Sequence, residues 1–292
     1  VVDLQTTQRY APGFEEFVNQ RASDSGYSDE RRIWADNASR MLREKLIQKN
    51  IDAIELSHVL TPNGCLVRFK GADTLTTKAI NAVEENLLTT AGLEIIFAQA
   101  AVGEFQILLK SPTREAISMW SIWKRRKLER NKAGVNLSFA IGLREEDNEI
   151  LYLNPVQQEP HTLVAGGTGS GKTVLVQMLL LDIAATNPSS LMQFYLIDPK
   201  RSVDYCAFER LPHAGDMADD PEAMDLLEHL VDEMNARLDL FREVGAKNLE
   251  RYNAKVSKDK RLPVLWLVHD EFAAWMVDKD YAEMIQEVLT VL

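Results

Sequence analysis

His161-Thr162-Leu163-Val164-Ala165-Gly166-Gly167-Thr168-Gly169-Ser170-Gly171-Lys172-Thr173 is the stretch from which the rest of the chain can be read. Its first five residues form a short apolar run of strand character. The run feeds a loop in which residues 166–173 satisfy G-x-x-x-x-G-K-[ST] in full. Val174, Leu175, Met178, Leu179 and Ile183 then recur at helical spacing until Thr186-Asn187-Pro188. Strand, glycine loop, helix is the context in which this spacing binds phosphate. Gly166, Gly167, Gly169 and Gly171, with Thr168 and Ser170 between them, let the backbone wrap closely and turn successive N–H groups inward. The helix N-terminus adds about half a positive charge. Lys172 is expected to neutralise the β- and γ-phosphates of ATP, and the Thr173 hydroxyl to ligate Mg²⁺.

A site of this kind needs an acid at the end of a buried strand, and Pro263-Val264-Leu265-Trp266-Leu267-Val268-His269-Asp270-Glu271 supplies two. Asp270 is expected to hold Mg²⁺ through its water shell. Glu271 is placed to accept a proton from the water that attacks the γ-phosphate, so Glu271 and Lys172 are the catalytic candidates. His269 is a polar end to an apolar strand and reads either as a structural residue or as a sensor of γ-phosphate or DNA.

Outward from these motifs the sequence divides in three. Up to residue 50 it is polar and helix-like, with Ile33, Trp34, Ala38, Met41, Leu42 and Leu46 at helical spacing. Residues 51–132 suggest a small α+β domain: a strand over 64–70, a helix over 74–90 with Ala79, Ile80, Val83 and Leu87 on one face, and a hairpin of strands 93–99 and 104–110. Residues 133–292 begin with a hairpin, 138–143 and 150–153, and then alternate strand with helix. That alternation indicates an α/β layered fold with a mostly parallel sheet. A long helix from Pro221 carries Met224, Leu227, Leu230, Met234, Leu238 and Phe241 on its expected core face.

The composition excludes several classes. With 46% hydrophobic and 26% charged residues, 14 Gly and 2 Cys in 292 residues, the chain is neither disordered, collagen-like nor a disulfide scaffold. Asp182 interrupts the longest apolar run, 174–185, well short of the roughly 20 residues that span a bilayer, so a soluble, cytoplasmic protein without a membrane segment is expected. Cys65 and Cys206 are expected to be reduced, buried thiols. A net charge of −11 argues against a protein that coats nucleic acid over its whole surface. It leaves room for a local contact, and Lys124, Arg125, Arg126, Lys127, Arg130 and Lys132 form one basic run, readable as a solvated helix end or as a nucleic-acid backbone contact. The chain begins without Met and stops within an apolar helical pattern at Leu292, which suggests a piece of something longer.

More of the chain says which kind of nucleotide protein this is. The phosphate loop from Leu163, then Tyr195-Leu196-Ile197-Asp198-Pro199-Lys200, Leu211-Pro212-His213 and Val231-Asp232-Glu233-Met234-Asn235-Ala236-Arg237 follow one another in a set order. Gly245-Ala246-Lys247-Asn248-Leu249, Tyr252-Asn253 and Leu267-Val268-His269-Asp270-Glu271-Phe272-Ala273 complete the series. The order resembles the motor domain of FtsK/SpoIIIE-type DNA translocases, strongly from residue 160 onward and more weakly from residue 51. The resemblance implies a RecA-like P-loop core behind a small α+β domain, a homo-oligomer that is a hexamer in this family, and ATP-driven movement of double-stranded DNA through the ring. A larger DNA-processing or phage-defence protein fits the same residues. The alternatives are a related ring ATPase that drives protein secretion or conjugative transfer, and a non-motor ATP-driven assembly switch. Asp198-Pro199-Lys200 reads either as a structural turn or as a contact to nucleotide or DNA. The family continues with a sensor strand and arginines that reach a neighbouring subunit's ATP, and these are not found by Leu292. The core is therefore expected to be C-terminally incomplete and this chain alone to hydrolyse ATP poorly, since such an arginine is worth on the order of 10³–10⁵ in rate.

Overall fold

The computed structural model describes residues 20, 27–113, 116–126, 128–131, 133–145, 147–155, 160–167, 169–199, 203–219 and 222–291. They group into two compact units. One comprises Val18–Arg126 with Gly142–Leu151, the other Lys127–Ile141 with Tyr152–Leu292.

In the first unit, α1 (Asp29–Gln48) starts where the Ser28 side chain accepts from the Arg31 N–H, with Asp29 and Glu30 in the first turn and Lys45 in the last. These placements satisfy an orphan amide and complement the helix dipole. Its buried stripe is Ala35, Ala38, Leu42 and Leu46. Ile33, expected on that stripe, is 61% exposed, because the face is rotated toward Ala35. Four strands follow: β1 (Glu55–Leu60), β2 (Gly64–Lys70), β3 (Ile95–Ala101) and β4 (Glu104–Lys110), with α2 (Thr77–Ala91) between β2 and β3. They pair antiparallel in the order β1-β2-β4-β3. Cys65, Val67 and Phe69 on β2 and Phe105, Ile107 and Leu109 on β4 alternate inward to meet Leu42 and Leu46 of α1 and Ile80 and Leu87 of α2. Burial pushes the Cys65 thiol up to about 12, with Glu55 and Asp36 adding to it, so the thiol stays protonated and packs as an apolar group.

α1 is also tied to β1 through His58, whose Nδ1 lies 2.7 Å from Glu55 Oε1 and Nε2 2.8 Å from Asp36 Oδ1. Burial acts to lower the pKa of His58, but the two carboxylates outweigh it and the net shift is upward from 6.5. A folded-state pKa above the unfolded one contributes stability that is complete below about pH 6.5 and is lost as pH rises through the raised value. His58→Gln is therefore expected to lower the thermal midpoint by a few degrees at pH 5.5 and by clearly less at pH 8.5. Thermal melts at the two pH values check this, and equal shifts would contradict it. Added salt should shrink the acid-side effect, because Asp36 is largely exposed.

α3 (Met119–Arg125) follows, and β5 (Phe139–Leu143) and β6 (Ile150–Leu153) form the expected hairpin. In the second unit the segment leading into β5, together with Ala140 at its start, is fastened to the last turns of α4 (Lys172–Thr186). Asn136 donates from Nδ2 to Thr186 Oγ1 and accepts at its carbonyl from Asn187, while Asp182 Oδ2 accepts from the Ala140 N–H at 3.0 Å. The acid that breaks the longest apolar run is thus fully buried and serves as a backbone acceptor.

β7 (Met192–Ile197), β8 (Ala214–Ala218) and β9 (Val264–His269) form a parallel sheet in the order β8-β7-β9. The mixed α/β architecture with a parallel sheet is the one expected. α5 (Ala223–Glu243) and α6 (Leu249–Lys255) connect β8 to β9, and α7 (Phe272–Trp275) and α8 (Lys279–Val291) follow. Along α5, Leu227, Leu230 and Phe241 are buried as expected, but Leu238 is 40% exposed and Arg237 takes the inward position.

Two expectations are corrected here. Residues 161–165 do not form a strand: none pairs with the sheet, and Leu163 is 80% exposed. β9 has β7 as its one neighbour among the described residues and is only half-buried along its whole length, and no described strand lies beside residues 161–165 to supply the hydrogen bonds of a ladder. Cys206, expected to be buried, is exposed, because Tyr205 beside it takes the inward position.

Candidate nucleotide-binding site

The glycine loop is a tight reversal that ends on α4. Gly169 and Gly171 have φ of 76° and 95°, and the Ser170 N–H donates to Gly167 O at 3.1 Å. Only glycine adopts those angles without cost. A Cβ on Gly166 would lie 2.5 Å from Ser170 Oγ and 3.5 Å from Lys172 Cγ, so the chain folds back closely on itself there. Lys172 opens α4 and its Nζ donates to Gly166 O, while Thr173 follows in the same turn. The first amides of a helix have no intrahelical acceptor, which leaves this turn open to an anion. Thr168 lies outside the described residues.

The acids sit at the carboxyl edge of the sheet, where α/β folds gather ligands. The Asp270 N–H donates to Ile197 O at 2.9 Å and the Asp198 N–H to Ala218 O at 3.1 Å, so both residues extend parallel pairing just past their strands. Asp270 Oδ1 accepts from the Glu271 N–H at 2.8 Å and Oδ2 from the Tyr205 hydroxyl at 3.1 Å. Burial first, then Asp270, Asp198 and Asp204, push the Tyr205 phenol far above its usual value, so it stays protonated and donates. Glu271 is exposed with φ 49° and ψ 35°, a left-handed conformation for a residue that has a Cβ. Such strain costs about 1–3 kcal/mol and concentrates at functional positions.

The approach to β9 is fixed by residues that the sequence pattern marked without a role. Arg237 pairs with Glu233 at 2.7 Å and donates to Pro263 O at 2.6 Å. Asn253 donates from Nδ2 to Leu262 O at 2.8 Å and accepts the Leu262 N–H at 2.9 Å, standing in for a neighbouring strand. His213 meets Asn187 O at 2.8 Å beyond the end of α4. At the other end of β9, His269 Nε2 lies 2.7 Å from Tyr281 OH, and its ring meets Phe272, Trp275 and Tyr281 edge-on. Burial pulls its pKa down, so the ring is neutral at physiological pH and committed to packing against α7 and α8.

Three arginines of the basic run are held by the fold, although Arg125 stays exposed. Arg126 is buried, Arg125 donates to Asn148 O at 2.7 Å, and Arg130 donates to Thr186 O at 3.1 Å. Lys127, Lys132 and Lys200 lie outside the described residues. Among the described residues no group of His, Cys, Asp or Glu forms a self-contained metal cage, and no helix is long and apolar enough to cross a membrane.

DNA translocase FtsK of Chlorobaculum tepidum is 27% identical over 274 residues, covering 88% of this chain and 33% of that protein. DNA translocase SpoIIIE of Bacillus subtilis is 28% identical over 213 residues, covering 69% of this chain and 26% of that protein. The chain thus spans about a third or less of these curated relatives. Among solved structures, conjugation coupling protein TcpA with ATPγS has a TM-score of 0.48 at 20% identity, covering 87% of this chain and 71% of that one. The cytoplasmic domain of the type VII secretion ATPase EccC of Thermomonospora curvata has 0.46 at 28%, over 55% of this chain and 20% of that one. Residues 124–289, more than half of the sequence and inclusive of the glycine loop and both acids, match the FtsK/SpoIIIE family, and the chain belongs to it.

Proposed function

We propose that this chain is the ATP-hydrolysing part of a double-stranded DNA translocase that works as a homo-oligomer, a hexamer, threading DNA through its ring. The observation that carries the proposal is that one compact unit holds both a glycine loop closing on the N-terminus of α4 and the Asp270-Glu271 pair at the carboxyl edge of β9. The loop amides and Lys172 bind and orient the ATP phosphates. Thr173 and Asp270 offer the hydroxyl and carboxylate oxygens that a hard cation takes, so these two would hold Mg²⁺, which when bound neutralises phosphate charge. Glu271, turned outward by its left-handed backbone, takes the proton of the attacking water.

An acidic chain is compatible with DNA as cargo, because a ring touches phosphate only at its lining, and such contacts weaken steeply with salt. The test is the ATPase rate of the full-length protein with and without double-stranded DNA at low and moderate salt. Stimulation of about tenfold or more that falls as salt rises is expected. No stimulation by DNA, together with acceleration by a peptide cargo, would assign the motor to protein transport. Negligible turnover with ATP-driven oligomerisation would make it an assembly switch.

A further inference from the structure

We propose that Tyr205 is a positioning residue for Asp270, and that the turn carrying it ties the phosphate-loop helix to the acid strand. The inference rests on the assignment of Asp270 as a Mg²⁺ holder made above. Gln177 lies one helical turn beyond Thr173 on α4, and its Nε2 donates to Asp204 O at 2.6 Å. The next residue, Tyr205, is fully buried, packs against Phe208 with ring centroids 6.3 Å apart, and reaches Asp270 Oδ2 with its hydroxyl. From Thr173 to Asp270 the path is thus one helical turn, one hydrogen bond from the Gln177 side-chain amide to the Asp204 carbonyl, one step along the chain to Tyr205, and one hydrogen bond from its phenol to the carboxylate.

The geometry acts on the carboxylate itself. With Oδ1 held by the Glu271 N–H and Oδ2 by the Tyr205 hydroxyl, the Asp270 group cannot rotate freely. Its remaining lone pairs, roughly two of about four, keep one direction in which to receive the water shell of a cation. Phenylalanine at 205 preserves the packing and removes that restraint. Outer partners of this kind are worth about 10–100-fold in metal affinity. Because Tyr205 rides on a turn fastened to α4, a shift of the phosphate-loop helix is transmitted to the acid.

The test is binding of a fluorescent N-methylanthraniloyl ATP to the 292-residue chain as Mg²⁺ is titrated, with a parallel measurement in EDTA. Tyr205→Phe is expected to raise the Mg²⁺ midpoint about tenfold while affinity in EDTA stays within about twofold. Gln177→Leu should move the midpoint in the same direction by about threefold, and it reads the tie even if Tyr205→Phe fails to fold. Asp270→Asn separates the two levels of inference. A shifted midpoint in Asp270→Asn beside unchanged midpoints in the other two variants overturns the role of Tyr205 alone. An unchanged midpoint in Asp270→Asn overturns the metal assignment and the role of Tyr205 with it. Parallel loss of affinity in EDTA and in Mg²⁺ for Tyr205→Phe would reduce its role to support of the fold, and also overturns the proposal.

Discussion

Lys172→Ala is expected to abolish measurable ATP binding, with a dissociation constant raised by at least about 100-fold. A hydrogen bond to a charged group contributes about 1.5–3 kcal/mol, and an ammonium between two phosphates makes roughly two, which corresponds to about 10²–10⁴ in affinity. The loss should be specific to binding. Lys172 Nζ bonds to Gly166 O, whose residue lies on the surface, so water replaces the lysine there when it is removed. Stability should change by no more than about 0.5 kcal/mol, as for other surface substitutions. Isothermal titration with ATP and Mg²⁺ beside a thermal melt distinguishes the outcomes, and unaltered affinity in Lys172→Ala would sink the assignment.

Glu271→Gln should leave ATP affinity within about threefold and cut turnover by about 10²–10⁴, the range for removal of a general base. The amide keeps the shape of the side chain and the left-handed backbone, so no new strain enters. Glu271→Gly gives the complementary result. It relieves the backbone, stabilising the fold by up to about 1 kcal/mol, and loses turnover to the same degree. A protein that becomes more stable and stops hydrolysing ATP isolates the carboxylate as the cause. Single-turnover hydrolysis with the unsubstituted chain as reference is the measurement, and a rate in Glu271→Gln within threefold of that reference would reassign the base.

The loop, the acids and the alternation of strand and helix were legible because each is local. Glycines at fixed offsets before a helix, or an acid closing an apolar run, need no distant partner to be recognised. What was missed depended on neighbours. β1 escaped because it is an edge strand with Leu56 and Ser57 exposed and a register shift between Glu55 and Ser57, so its alternation is broken. β8 escaped because Gly215 and Asp216 are poor strand formers. Gly215 is there because a Cβ would meet the Tyr195 ring at 2.6 Å. The strand expected over 161–165 fails for the converse reason: its residues suit a strand, but a strand exists only where another supplies its hydrogen bonds. Tyr205 bonds to a carboxylate 65 positions away, a distance at which no spacing rule speaks.

The clasp of Asn253 on Leu262 makes β9 a ruler with a fixed zero. From that zero the strand counts out Val264–His269 and delivers Asp270 to one side of the sheet edge. Side chains alternate with a period of two, so one residue more or fewer between the clasp and the acid would present the neighbouring position instead. The segment can therefore accept changes of side chain far more readily than changes of length.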